Sequence, residues 1–172
     1  MKKILLVIAS QGFQHIEYRV PKQLLEEAGF IVVTASDKAG VAIGKDGSEQ
    51  PVDIVLSDVD PKNYDGIYFI GGPGALEHLD NQESNRILNE VMLLQKPYGA
   101  ICISPRILAK ANVLVGKRAT GANGDGQLAS IFANNNMEYI AEPVVVDGMV
   151  VTADGPAAAE DWGKAIIKTF MV

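Results

Sequence analysis

The sequence predicts an α/β domain: a mostly parallel sheet with helices packed on both faces. Three observations carry that expectation. Short apolar runs alternate with helical patterns along the whole chain. The runs Ile67-Tyr68-Phe69-Ile70 and Tyr98-Gly99-Ala100-Ile101 are apolar at consecutive positions, as strands buried on both faces require. The only cysteine, Cys102, stands where the second of these runs gives way to helical periodicity. A length of 172 residues suits one domain over residues 1–172, large enough to bury roughly two-thirds of its unfolded surface.

Taken in order, Lys3 to Ala9 reads as the first strand. The opening superficially resembles a signal peptide, but its apolar run ends at Ala9 and polar Gln11 follows. Ser10 to His15 turn the chain into a helix carrying Leu24, Leu25 and Ala28, with Gly29 as its C-terminal cap and Pro21 opening or kinking it. Phe30 to Ala35, rich in β-branched residues, is the second strand. From Gly40 to Asp60 the pattern is broken by Gly44, Asp46-Gly47 and Pro51, which predicts short strands or a small hairpin at the sheet edge.

Ile67 to Ile70 is a buried strand that runs into Gly71-Gly72-Pro73-Gly74, and Ser84 is the expected N-cap of a helix through Ile87, Leu88, Val91, Met92 and Leu94. The strand ending at Ile101 comes next, then a short helix from Ile103 in which Pro105 occupies the first turn. Lys117 to Thr120 reads as a short strand and Gly121 to Gly126 as a loop. Pro143 to Val146 and Met149 to Thr152, joined by Asp147-Gly148, form a hairpin, and the last helix runs from about Ala157 to Phe170. No repeat or linker suggests a second domain.

Composition narrows the function classes. One cysteine excludes an intrachain disulfide and fits a reducing compartment, and two histidines without a Cys/His cluster argue against a metal site. No stretch approaches the length needed to span a bilayer, so the expectation is a cytoplasmic protein without a membrane partner. A net charge of -6 without a basic cluster gives no reason to bind nucleic acid. The Gly-rich turn at Gly71 lacks the spacing of a nucleotide fingerprint, so no cofactor is expected.

The corner at Cys102 is where chemistry is expected. In an open parallel sheet ligands bind beyond the carboxyl ends of the strands, which brings His15 and Glu17, the Gly71-Gly72 turn and Cys102 together. A cysteine beside a helix N-terminus is more acidic than a free one, its pKa falling toward roughly 4 to 7. Glu17 can help such a thiolate only as a neutral acid, because an ionised carboxylate would repel it. Since Pro73 has no N–H, Gly72 and Gly74 are the backbone donors of the Gly-rich turn.

These residues carry a resemblance. Gly12-Phe13 and Ile16-Glu17, Asp65-Gly66 leading to Gly71-Gly72-Pro73-Gly74, Lys96-Pro97 with Ala100-Ile101-Cys102 and Pro105, and Val151-Thr152 with Gly155-Pro156 together resemble the ThiJ/PfpI family, part of the class I glutamine amidotransferase-like superfamily, over nearly the whole chain. The resemblance implies a flavodoxin-like three-layer α/β/α sandwich with Cys102 as the nucleophile on an elbow. It also implies that Glu17 is a protonated acid hydrogen-bonded to the sulfur, and that amides near Gly72 and Ile103 receive an oxyanion. Gly71, Ser104 and His15 are further candidates to line the site.

Three positions depart from the family pattern. Ile103 stands where peptidase-like members have a histidine, the loop Gly121 to Gly126 lacks the histidine of deglycase-like members, and Asp154 replaces an arginine of that branch. His15 and His78 are the only histidines that could substitute. The resemblance implies a cofactor-free glyoxalase- or deglycase-like enzyme acting on small reactive carbonyls through a Cys102 thiolate. A second reading is a redox-responsive stress protein whose Cys102 is oxidised to sulfinate, and a third is a PfpI-type peptidase weakened by Ile103. The partner is then a small carbonyl compound or an oxidant, and family members usually form homodimers.

Overall fold

A computed structural model describes residues 1–171. The first strand, β1 (Lys3–Ile8), lies in the interior of the sheet and is buried on both faces from Ile4 onward. Alternate residues of β1 serve two separate cores: Ile4, Leu6 and Ile8 face one layer of helices, Leu5 and Val7 the other. That split is the period-two geometry of a strand read directly as a three-layer fold.

A three-residue strand, β2 (Gln11–Phe13), leads into α1 (His15–Glu27). The chain then forms β3 (Ile31–Ser36), β4 (Val41–Gly44), β5 (Glu49–Pro51), β6 (Ile54–Val55) and β7 (Gly66–Phe69). Helices α2 (Ala75–Leu79) and α3 (Gln82–Leu93) precede β8 (Tyr98–Ile101) and α4 (Pro105–Lys110). The rest is β9 (Arg118–Ala119), α5 (Leu128–Asn134), β10 (Glu138–Tyr139), β11 (Val144–Asp147), β12 (Val150–Ala153) and α6 (Ala159–Thr169). The main sheet has the order β11-β12-β8-β7-β1-β3-β6, parallel throughout except for the antiparallel edge strand β11. Its five long parallel strands thus follow the flavodoxin-like order, with the chain reversing direction across the sheet at β1.

Helices α1 and α6 pack together on one face. Gly163 makes their approach possible, since a β-carbon there would lie 2.9 Å from Leu24 Cδ1 and 3.2 Å from Pro21 Cα. Pro21 lies inside α1 and does not open it; its missing N–H is the one that would have paired with the Glu17 carbonyl one turn earlier.

Several expectations shift. The segment from Gly40 does contain a hairpin, β4–β5, but it joins β2 in a separate three-stranded sheet, while β6 holds the main-sheet edge. The N-cap of α3 is Asn81, whose Oδ1 accepts from the Ser84 N–H at 2.9 Å; Ser84 itself is buried in the first turn. Asn caps well for the same reason Ser does. Strand β9 pairs with β10 outside the main sheet, and α2, α5 and β10 were not foreseen. The β11–β12 turn falls at Gly148-Met149, because Asp147 already pairs with Val150; Gly148 takes the positive φ of 61° that the turn needs.

The family-like Lys96-Pro97 pair has a structural role. Lys96 Nζ donates to the carbonyls of Pro61, Lys62 and Tyr64 at 3.1, 2.9 and 2.6 Å, tying the approach to β7 onto the approach to β8. In β8, a β-carbon on Gly99 would collide with the Val151 carbonyl of β12. Gly99→Ala is therefore expected to lower stability by about 2 kcal/mol or more, the cost of forcing bulk into a packed core, read as a lower urea midpoint with unchanged slope.

Candidate active site

Three chain segments meet beyond the carboxyl ends of β1, β7 and β8. Cys102 follows β8 directly and is one of the few non-glycine residues with positive φ, at 63°. A left-handed conformation costs an L-residue roughly 1–2 kcal/mol, so it persists only where neighbours hold it. Here the Cys102 N–H donates to the Ala153 carbonyl at 2.9 Å and its own carbonyl accepts from the Ala122 N–H at 2.6 Å. With both backbone groups fixed, the half-buried side chain faces an open cleft of about 500 Å³. Gln14, Lys45, Gly72, Leu76, Ile103 and Pro156 are among the residues that line it.

Glu17 comes from the first turn of α1. Gln14 caps that turn, its Oε1 accepting from the N–H groups of Ile16 (2.6 Å) and Glu17 (3.0 Å). The Gly71 peptide is clasped from both sides: its carbonyl accepts from the Gln14 N–H at 2.9 Å, and its N–H donates to Glu17 Oε1 at 3.1 Å. Glu17 is fully buried and its Oε2 has no hydrogen-bond partner among the described residues. Cys102 is its neighbour across Gly71, close enough for each group to shift the proton affinity of the other.

Glycine is required at the junction. A β-carbon on Gly71 would stand 2.6 Å from Glu17 Oε1, 2.7 Å from Cys102 Cβ and 2.8 Å from the Ile101 carbonyl. The three groups converge on the space its missing side chain leaves. Gly72 has φ 121° and no room for a side chain beside the Gly12 carbonyl and the Gln14 amide. Its own N–H has no acceptor among the described residues.

The electrostatics follow from burial. Desolvation raises the Glu17 carboxyl to about 7, against smaller opposing effects of the thiol, the Gly71 amide and the Lys45 charge. Desolvation and then the negative charge of Glu17 push the Cys102 thiol up to about 12, opposed by the Ile103 amide, which donates to the sulfur. The expectation of a thiol lowered on its own by a helix end is not met. Helix α4 has only six residues, and the nearest charge is negative. What the two groups form is a coupled pair that gives up one proton near 7 and holds the other far above it.

Other sequence candidates take different places. The Ile103 N–H serves the sulfur and leaves Gly72 as the donor free for a ligand. Ser104 is fully buried, its Oγ donating to the Ile70 carbonyl at 2.7 Å, and braces the corner from below. His15 Nδ1 lies 3.6 Å from Asp46 Oδ1, and His78 Nδ1 lies 3.1 Å from Asp37 Oδ2; neither lines the cleft. Asp154 is exposed just past β12, near enough to raise the thiol further. Gln14 and Lys45 were missed, since a capping glutamine and a loop lysine carry no chemical signature in a sequence.

Fold and site together define a flavodoxin-like domain with a cysteine–glutamate pair at the carboxyl edge of its sheet. The profile of the DJ-1/PfpI family matches residues 2–169, and the chain belongs to that family. A protein named a deglycase in Pyrococcus abyssi is 30% identical over 95% of this chain and 96% of its own length. The deglycase PfpI of Pyrococcus furiosus is 31% identical over 95% and 97%. A ThiJ/PfpI domain protein of Brachyspira murdochii superposes with TM-score 0.92 at 30% identity, covering 98% of this chain and 96% of that one. Oxidised DJ-1 of Toxoplasma gondii shares the fold, with TM-score 0.86 at 24% identity over 99% and 91%. Among the described residues no helix is long and apolar enough to cross a membrane.

Two outcomes are expected. Gly71→Ala drives Glu17 away from Cys102, and because the negative charge that holds the thiol proton is removed, the reactivity of Cys102 toward iodoacetamide at pH 8 rises about tenfold or more, the effect of roughly one pKa unit on the thiolate fraction. The raised Glu17 carboxyl makes the folded state hold a proton that the unfolded chain releases at about 4.5. Its contribution is therefore complete below 4.5 and is lost as pH rises to about 7, on the order of 3 kcal/mol. In Glu17→Gln this part of the pH dependence of the urea midpoint should vanish.

Proposed function

We propose that the protein is a cysteine-dependent, cofactor-independent enzyme that converts small reactive carbonyl compounds, 2-oxoaldehydes foremost, into hydroxy acids. The observation that carries this reading is the convergence, on the space left by Gly71, of Cys102 and a carboxyl group with no exposed surface, at the foot of an open cleft. Above pH 7 the pair carries one negative charge and one proton. Writing the charge on oxygen or on sulfur describes the same pair, and an approaching electrophile draws it to sulfur.

The steps balance without an oxidant or reductant. The sulfur bonds to the aldehyde carbon while the thiol proton passes to Glu17, and the carbonyl electron pair moves to oxygen beside the Gly72 N–H. Glu17 returns the proton to that oxygen, giving a hemithioacetal. As a carboxylate again, it takes the proton from the former aldehyde carbon to give an enediol, the hydroxyl proton on that carbon's oxygen passes to the neighbouring carbonyl oxygen, and Glu17 returns its proton to the neighbouring carbon, which leaves a 2-hydroxy thioester. Water then cleaves the thioester, releasing the hydroxy acid and the thiol. Glu17 serves as base and acid in turn because no histidine lines the cleft.

The names of the Pyrococcus relatives support the carbonyl class. A redox-responsive role draws on the same pair: a thiolate in an open cleft is oxidisable, and the free Gly72 amide suits a sulfinate oxygen. The peptidase reading has less support, because Ile103 supplies no base beside the sulfur.

Purified protein is expected to turn methylglyoxal into lactate, and Cys102→Ser to abolish it. The rate should climb as pH rises through about 7, where the pair loses its first proton. Glu17→Gln should remove that limb and lower kcat/KM by about 10²–10⁴-fold. Absence of turnover, with peroxide adding two oxygens to Cys102, would favour the redox role instead; cleavage of casein would favour the peptidase.

A further inference from the structure

The cleft has a charged side that the mechanism above does not use. Lys45 lines it from the turn after β4, anchored by its backbone N–H on the Phe13 carbonyl at 2.8 Å. Its ammonium makes no ion pair or hydrogen bond among the described residues. The acid next to it, Asp46, is committed elsewhere. Asp46 Oδ1 accepts from the Ser48 hydroxyl at 2.6 Å and the Ser48 N–H at 3.1 Å, and the carboxylate faces His15 at 3.6 Å and Arg19 at 3.8 Å. The turn thus absorbs its own acid and leaves the lysine charge to the cleft.

Gln14 adds a donor on the same side. Its oxygen is taken by two helix N–H groups, which fixes the orientation of the amide. The NH₂ end has no acceptor among the described residues and is not sealed off. With the Gly72 N–H, which has no acceptor among the described residues, the β1–β7 side of Cys102 presents two neutral donors and a cation. The β12 side presents the unpaired carboxylate of Asp154. The order β12-β8-β7-β1 sets these charges on opposite flanks of the sulfur.

We infer that Lys45, with the Gln14 amide, determines specificity here and selects carbonyl substrates that also carry a carboxylate. The carbonyl carbon meets Cys102, and the carboxylate lies toward Lys45 and away from Asp154. The inference builds on the carbonyl-enzyme reading but concerns a different part of the cleft, so the two can fail separately. An ammonium in a partly desolvated cleft attracts a carboxylate appreciably, whereas a neutral substrate gains nothing from it.

The test compares two alkylating agents that differ in charge. Rates of Cys102 modification by iodoacetate and by iodoacetamide are measured at pH 8 in wild type, Lys45→Gln and Lys45→Glu. Taking their ratio cancels any change in the thiol itself. The ratio is expected to fall about threefold to tenfold in Lys45→Gln and further in Lys45→Glu, and to rise in Asp154→Asn. Lys45 is exposed, so these variants are expected to fold, which circular dichroism checks. In turnover, Lys45→Gln should lower kcat/KM for 4,5-dioxopentanoate, a 2-oxoaldehyde ending in a carboxylate, more than for methylglyoxal. A ratio that does not move in the Lys45 variants overturns the inference whatever the turnover assays return. If neither compound is turned over, the enzyme reading fails and the alkylation ratio alone decides whether the cleft selects carboxylates.

Discussion

A carboxyl group with no access to water lies beside the only thiol of the chain, and most of the local structure exists to permit that approach. Burying an ionised carboxylate is expensive, so the pair holds its protons tightly and releases the first only near 7. Glu17 can approach Cys102 because residue 71 has no side chain, and it stays there because the Gly71 amide binds its Oε1. Cys102 can face it because the backbone accepts a left-handed residue between two hydrogen bonds, to Ala153 and from Ala122. Removing any of these returns the two groups to ordinary chemistry.

The sheet supplies the convergence. Strands β1, β7 and β8 are neighbours and parallel, so the segments that follow them emerge on one edge although they are far apart in sequence. At β1 the order reverses, and the crevice there is where open α/β sheets bind ligands. The small sheet β2-β4-β5 extends this edge sideways and carries Lys45 into the cleft. A peripheral element that only continues the fold would have no reason to place its charged turn there.

Much of this was legible in the sequence. Consecutive apolar residues in β7 and β8 announced buried parallel strands, and a lone cysteine followed closely by Pro105 marked the corner. Glu17 was legible mainly through the resemblance, because an acid in a first helical turn ordinarily complements the helix dipole in water. Its burial depends on Gly71, 54 residues away. Short elements such as α2, α5 and β10 were missed since their stability comes from tertiary packing, which overrides weak local preference. The thiol was expected to be acidic from position alone. The contrary outcome depends on the sign and depth of the Glu17 charge, which no local pattern encodes.

The missing histidines become intelligible once the proton inventory is followed. A cysteine enzyme needs somewhere to put the thiol proton while the carbon–sulfur bond forms and a way to move a proton between adjacent carbons later. Where a histidine serves, the carboxyl group can remain a spectator. Here Ile103 fills the position beside the sulfur with hydrocarbon, and both histidines are turned to aspartates outside the cleft. In the proposed reaction the remaining acceptor is Glu17, which desolvation raises to about 7, where a general acid–base works best near neutrality. Under that proposal, burial, which at first sight only weakens the thiol, is what suits its partner to act as the base.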